Sequence, residues 1–208
     1  MIKLSRTILF IGVFSLGLIS TANANLEARP GGMVYDTDLN ITWMSDANYA
    51  KTSGYDADGL MSWSSAYNWA ASLNVGGVSG WRLPVANNYC EAFYECEGGE
   101  MGHLFIDELG GTIGSSILSS SDQDLALFTN VQNQFYWTGW RVGGDYIDVA
   151  YAFDFSFGLQ DSDWIETNSF AWAVHDGDVG LIPEPEMYAM LSIGLLAMFG
   201  FGRLSRQS

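Results

Sequence analysis

Basic residues are scarce in this sequence. Of its 208 residues 8 are Lys or Arg and 24 are Asp or Glu. Between residues 25 and 182 only Arg29, Lys51, Arg82 and Arg141 face 22 acids, a net charge of −18. Nonspecific affinity for nucleic acid depends on Lys and Arg displacing counterions from phosphate. Such a surface repels nucleic acids and anionic membranes and leaves cations, or neutral polymers such as polysaccharides, as compatible partners. Histidine is as rare, with His103 and His175 the two present. HxxH, HExxH and nucleophilic-serine motifs are absent, so no catalytic residue is assigned.

Cysteine is limited to Cys90 and Cys96, in YCEAFYECEGG. An even pair this close in an exported chain reads as a disulfide closing a small loop. A redox or metal pair is the competing reading. Glu91, Glu95 and Glu97 argue against it, because neighbouring negative charge raises thiol pKa values.

What the chain does have is aromatics. All 8 Trp lie between Trp43 and Trp172, and side chains of that size supply the burial a folded core needs, against the disorder that acidity alone would suggest.

Both ends differ from the middle. MIKLSRTILFIGVFSLGLISTANAN has basic Lys3 and Arg6, an apolar run from Ile8 to Ile19, and Ala22-Asn23-Ala24. This is the layout of a secretory signal at 1–24, cut by signal peptidase after Ala24; a retained anchor is the alternative, and the run is short for one. At the other end Pro183-Glu184-Pro185 precedes an uncharged stretch from Met187 to Gly202, then Arg203 and Arg206. Sixteen residues at 1.5 Å each make about 24 Å of helix, a short membrane anchor with its basic flank on the cytoplasmic side.

Triplet, apolar segment and basic terminus together resemble the PEP-CTERM sorting signal, here at 183–208. The resemblance implies an exosortase as partner, transient anchoring in the inner membrane by helix 187–202, removal of the tail near the triplet, and release to the cell surface or extracellular matrix of a Gram-negative bacterium. Two separated arginines stand where that signal carries a basic cluster.

The exported domain at 25–182 reads as α+β. GGMVYDTDLNITWM predicts a hairpin about Asp38-Leu39-Asn40, with Asp36 and Asp38 as turn caps. SWSSAYNWAASLN predicts a helix capped by Ser62, with Trp63, Ala66, Ala70 and Leu73 inward and Gly76-Gly77 at its end. SGWRLP predicts a short strand, and GEMGHLFIDELGG a second helix burying Met101, Leu104, Phe105 and Leu109. QFYWTGWRV, DVAYAFDFSFG and SFAWAVHDG predict an antiparallel sheet confined to the second half.

VYDTDLNITW, GWRLP, EMGHLF, FYWTGW and AWAVHDGDV occur in the order found in the Lcl C-terminal family, which the segment 30–180 resembles. That family is similar to the C-type-lectin and formylglycine-generating-enzyme fold group, which implies two helices and a twisted, loop-rich antiparallel sheet. The catalytic cysteine pair of those enzymes lies late in the domain; here both cysteines come early.

Several residues have a site reading and a structural one. Asp56 and Asp58, in DADG, resemble the start of a calcium loop and also suit an Asp-Gly turn. Arg82, in GWRLP, is a ligand contact or an arginine paired with a carboxylate. His103, three residues after Glu100, and His175 read as hydrogen-bonded structure. Trp137, Trp140, Tyr146 and Tyr151 surround Gly143-Gly144; buried core accounts for strand aromatics, and Trp140 beside Arg141 is the one expected to face solvent and stack on sugar. Three functions remain open: a non-catalytic polysaccharide- or surface-binding module, a self-assembling surface protein, or a hydrolase using a carboxylate pair on glycans.

Overall fold

The computed structural model describes residues 25–87, 98–144 and 147–180. Ala22, Ala24, Cys90, Cys96, Tyr146, Pro183, Glu184, Pro185, Arg203 and Arg206 lie outside the described residues, as do the expected signal segment at 1–24 and the expected membrane helix at 187–202. No helix among the described residues is long and apolar enough to cross a membrane.

The domain is α+β, built on two four-stranded sheets. The first is antiparallel in the order β1 (Leu26–Arg29), β2 (Met33–Asp36), β3 (Ile41–Met44), β8 (Val174–Asp176). The hairpin falls where its turn residues place it. Asp36 Oδ1 accepts from the backbone N–H groups of Asp38 and Leu39 at 3.1 and 2.9 Å, and Asn40 takes the left-handed conformation at φ 53°, which Asn tolerates better than most residues. The register then sets Val34 opposite Trp43 and Asp36 opposite Ile41.

Helix α1 (Tyr49–Thr52) is a single turn, and α2 (Trp63–Ser72) is the longest α-helix among the described residues. The Ser62 side chain accepts from the Ser65 N–H, the N-cap predicted. The inward stripe is shifted from the expected one. Ala66, Trp69 and Ala70 are buried, whereas Trp63 and Leu73 are only half-buried. Trp63 sits at the margin because its indole N–H reaches the Thr138 carbonyl on a neighbouring strand at 2.8 Å. The helix also ends before the glycines. Leu73 turns extended, and Gly76-Gly77, both at positive φ, form a separate turn closed by Val75 and Val78.

Helix α3 (Gly99–His103) runs into one π-helical turn, Leu104–Glu108. Met101, Leu104, Phe105 and Leu109 are all fully buried, as their spacing predicts. SGWRLP is not a strand. One residue, Arg82, exchanges both backbone hydrogen bonds with Val174 at 2.9 Å, and Pro84, which has no N–H, prevents the ladder from extending.

The second sheet runs β6 (Leu159–Trp164), β5 (Ile147–Asp154), β4 (Phe135–Gly144), β7 (Phe170–Ala171). It is mixed, because β7 pairs parallel to β4. The acid-rich β6, LQDSDW, lacks the alternation of a half-buried strand. Among the described residues it pairs only with β5 and forms an edge, where charge guards against pairing with another chain.

Strands are thus not segregated to the second half: three come first, and the late β7 and β8 enter different sheets. Trp172, between them, is fully buried. Its ring meets Trp43 of the first sheet at 5.5 Å and Tyr136 of the second at 5.5 Å, with Phe128 at 5.1 Å, at edge or tilted angles typical of aromatic pairs. Its N–H donates to the Met44 carbonyl at 2.7 Å. Trp43, Trp69, Trp81 and Trp137 are also fully buried. Tryptophans are thus the largest side chains of the core, and Trp172 joins the two sheets within it.

Candidate functional site

The β4–β5 ladder breaks midway. Trp137 pairs with Ala152, but the next pair is Arg141 with Ala150, so Thr138-Gly139-Trp140 forms an irregular bulge. Bulges re-aim side chains, and here Trp140 is turned outward, 45% exposed, while Trp137 stays in the core. The bulge is held from three sides. Gly139 N–H donates to the Pro84 carbonyl at 2.8 Å. Thr138 Oγ1 donates to the Tyr151 carbonyl at 2.8 Å, and the Thr138 carbonyl receives the Trp63 indole.

Trp63 also carries Tyr67 with it, one helical turn on, the two rings 5.2 Å apart. Tyr67, 47% exposed, shares a cleft of about 180 Å³ with Trp140, Arg82, Val85, Ala86 and Gly139. Two candidates 58 positions apart in sequence, Arg82 and Trp140, are brought to one place. Helical spacing leaves Tyr67 off the inward stripe, but no local signal sets it beside Trp140.

Arg82 is paired rather than free. Its Nη1 and Nη2 donate to Glu100 Oε2 and Oε1, each at 2.8 Å, and Nε donates to Asp176 Oδ1 at 3.0 Å. Burial opposes the guanidinium charge, but Glu100 and Asp176 outweigh it and hold the group above its ordinary pKa. Glu100 Oε2 also accepts from Val85 N–H at 2.7 Å, so one carboxylate fixes the arginine and the cleft wall together. Arg141 pairs with exposed Asp148, and Tyr151 is buried.

At Asp56 and Asp58 the carboxylates cap a turn. Asp56 Oδ1 accepts from Asp58 N–H and Gly59 N–H at 3.0 and 2.8 Å, and Asp58 Oδ1 accepts from Leu60 N–H at 3.0 Å. Those bonds hold the Asp56 carboxyl below its usual range. His175 is structural, its two ring nitrogens facing the carbonyls of Asp176 and Ser79 at 2.6 and 3.0 Å.

His103 has a setting that the sequence conceals. Its Nε2 lies 3.1 Å from Glu108 Oε1 and 4.0 Å from Asp36 Oδ2, while Nδ1 lies 3.1 Å from Asp107 Oδ2. Asp36 and Glu108 are buried, with side chains 0% and 2% exposed. Burial, and for Glu108 also the charge of Asp36, pushes both carboxyls above the usual range. Residues 103 and 108 are five apart, about 140° on an α-helix. The π turn at 104–108 returns them to one face, and only that local irregularity forms the cluster.

Comparison with curated proteins finds no match, and comparison with solved structures finds none. The model of one family does match, the Lcl C-terminal domain, over residues 32–175. That span takes in the second sheet, all of the first except β1 and the end of β8, α2, α3 and every residue of the cleft and of the His103 cluster, and the chain belongs to the Lcl C-terminal domain family.

Proposed function

We propose that the protein is an exported, exosortase-processed component of the cell surface or extracellular matrix, whose domain binds polysaccharide without turning it over. The observation that carries this reading is the cleft. Tyr67 and Trp140 are exposed aromatics lining a pocket that Arg82 also lines. Aromatic faces stack against the C–H face of a sugar ring. Exposed Asp176, held by Arg82, offers acceptor oxygens to hydroxyl groups. A formal net charge of −18 over residues 25–182 is compatible with a neutral polymer. The short helices and loop-rich sheets accord with a C-type-lectin-like fold, and the Pro183-Glu184-Pro185 tail supports exosortase sorting with transient inner-membrane anchoring.

The test is co-sedimentation of the purified full chain, in mild detergent, with polysaccharide from the producing cell, with calcium and with chelator. Pelleting that ignores chelator and is weakened in Trp140→Ala supports the cleft. Pelleting that requires calcium moves the site to Asp56 and Asp58. Absence of pelleting overturns the reading and turns attention to self-assembly.

A further inference from the structure

We infer that Asp36, His103 and Glu108 form a binding site for one divalent cation of the zinc class, separate from the polysaccharide cleft. The donor atoms are Asp36 Oδ2, His103 Nε2 and Glu108 Oε1, all within 4.8 Å of one another. Three donors each about 2.1 Å from a tetrahedral cation sit about 3.4 Å apart. The separations from His103 Nε2, 3.1 and 4.0 Å, bracket that spacing, so small side-chain movements suffice.

Charge makes the same demand. Two carboxylates almost wholly removed from water need compensation, and their ion pairs among the described residues are with His103 alone. Arg29, Arg82 and Arg141 are bound to other acids. A neutral imidazole, two carboxylates and one divalent cation sum to zero. Each imidazole nitrogen faces a carboxyl group, so a cation at Nε2 would take the place of the proton shared there with Glu108.

The surroundings match those of a metal-bound histidine. A ligating imidazole commonly donates its second N–H to a carboxylate, which fixes ring and tautomer. Asp107 Oδ2 stands 3.1 Å from Nδ1 in that role. Asp36 is oriented from behind, its other oxygen held by the turn N–H groups of Asp38 and Leu39. His103 is 21% exposed, leaving a route for the ion and room for water at remaining positions. Mixed imidazole and carboxylate donors suit zinc or manganese better than calcium or magnesium, whose ligands are oxygens.

Metal-depleted full chain titrated calorimetrically with zinc chloride tests this. The expected result is one saturable equivalent, with proton release and with affinity that rises with pH. His103→Ala should abolish that equivalent, whereas His175→Ala should retain it. Asp107→Asn, at a side chain 63% exposed and thus tolerant of change, should weaken binding about 10- to 100-fold. Cobalt provides a second readout, a visible ligand-field band in the parent protein that is absent from His103→Ala. Zinc affinity unchanged in both His103→Ala and Asp107→Asn, or no saturable equivalent in the parent, overturns the inference.

Discussion

Arg82 and Glu100 meet as a two-pronged pair, with both nitrogen–oxygen distances at 2.8 Å. The contact spans 18 residues and ties the GWRLP segment to the first turn of α3. Because the Glu100 side chain is 14% exposed, the pair is shielded enough to matter more than a surface ion pair. Glu100→Gln keeps the shape and removes the charge. It should cost about 1–3 kcal/mol in urea unfolding, and it should weaken polysaccharide binding by loosening Val85 and Arg82 together. Unchanged stability would mean that the pair contributes no more than an exposed one.

Two tryptophans three positions apart should behave oppositely. Trp140→Ala, on the outward side of the bulge, should shift stability by no more than about 0.5 kcal/mol and weaken polysaccharide binding roughly two- to tenfold. Tyr67→Ala should resemble it. Trp137→Ala removes a fully buried ring whose N–H donates to Met61 at 2.8 Å, and should cost about 3–5 kcal/mol. Thermal unfolding beside a binding isotherm separates the two.

Glycines at similar φ should differ according to what stands beside them. Gly59 has φ +88°, and a Cβ there would come 1.9 Å from Asn48 Oδ1. Asn48 is itself held, donating to the Asp58 carbonyl at 3.1 Å. Gly54 has φ +76° with open space around it. Gly54→Ala should therefore cost about 1–2 kcal/mol, the left-handed penalty alone, and Gly59→Ala clearly more. Equal denaturation midpoints for the two variants would contradict the steric account.

Acid should release the Arg29–Asp178 pair. Asp178 accepts from Arg29 Nε and Nη2 at 3.0 and 2.8 Å, and this bonding holds its carboxyl below the usual range. A carboxyl with a depressed folded-state pKa stabilises the fold fully above its unfolded value, about 3.9. That stability is lost as pH falls through the folded-state value. The gap in unfolding free energy between parent and Asp178→Asn should thus be constant above about pH 5 and close progressively below it. A gap that persists at low pH would assign the contribution to packing.

Much of the local structure follows from the order of residues. Ser62 before an apolar-periodic run starts α2, Asp36 and Asn40 shape the hairpin, and the spacing of Met101, Leu104, Phe105 and Leu109 predicts their burial, because capping, turn chemistry and helical period act within a few positions of the chain. The acidic balance, the aromatic core and the exposure of Trp140 beside a glycine-rich turn were legible for the same reason.

Tertiary structure alone decided the rest. Nothing near Trp172 indicates that β7 and β8 part into two sheets, since strand partners are chosen by burial across the whole domain. Only packing shows that Tyr67 and Trp140 line one cleft, where Trp63 of α2 bonds to a strand 75 residues away. His103 and Glu108 lie on different faces of the helix that their spacing implies, and the π turn brings them together beside an aspartate on another element. Local periodicity cannot register a contact that depends on an irregular turn and a distant strand, and both candidate sites depend on such contacts.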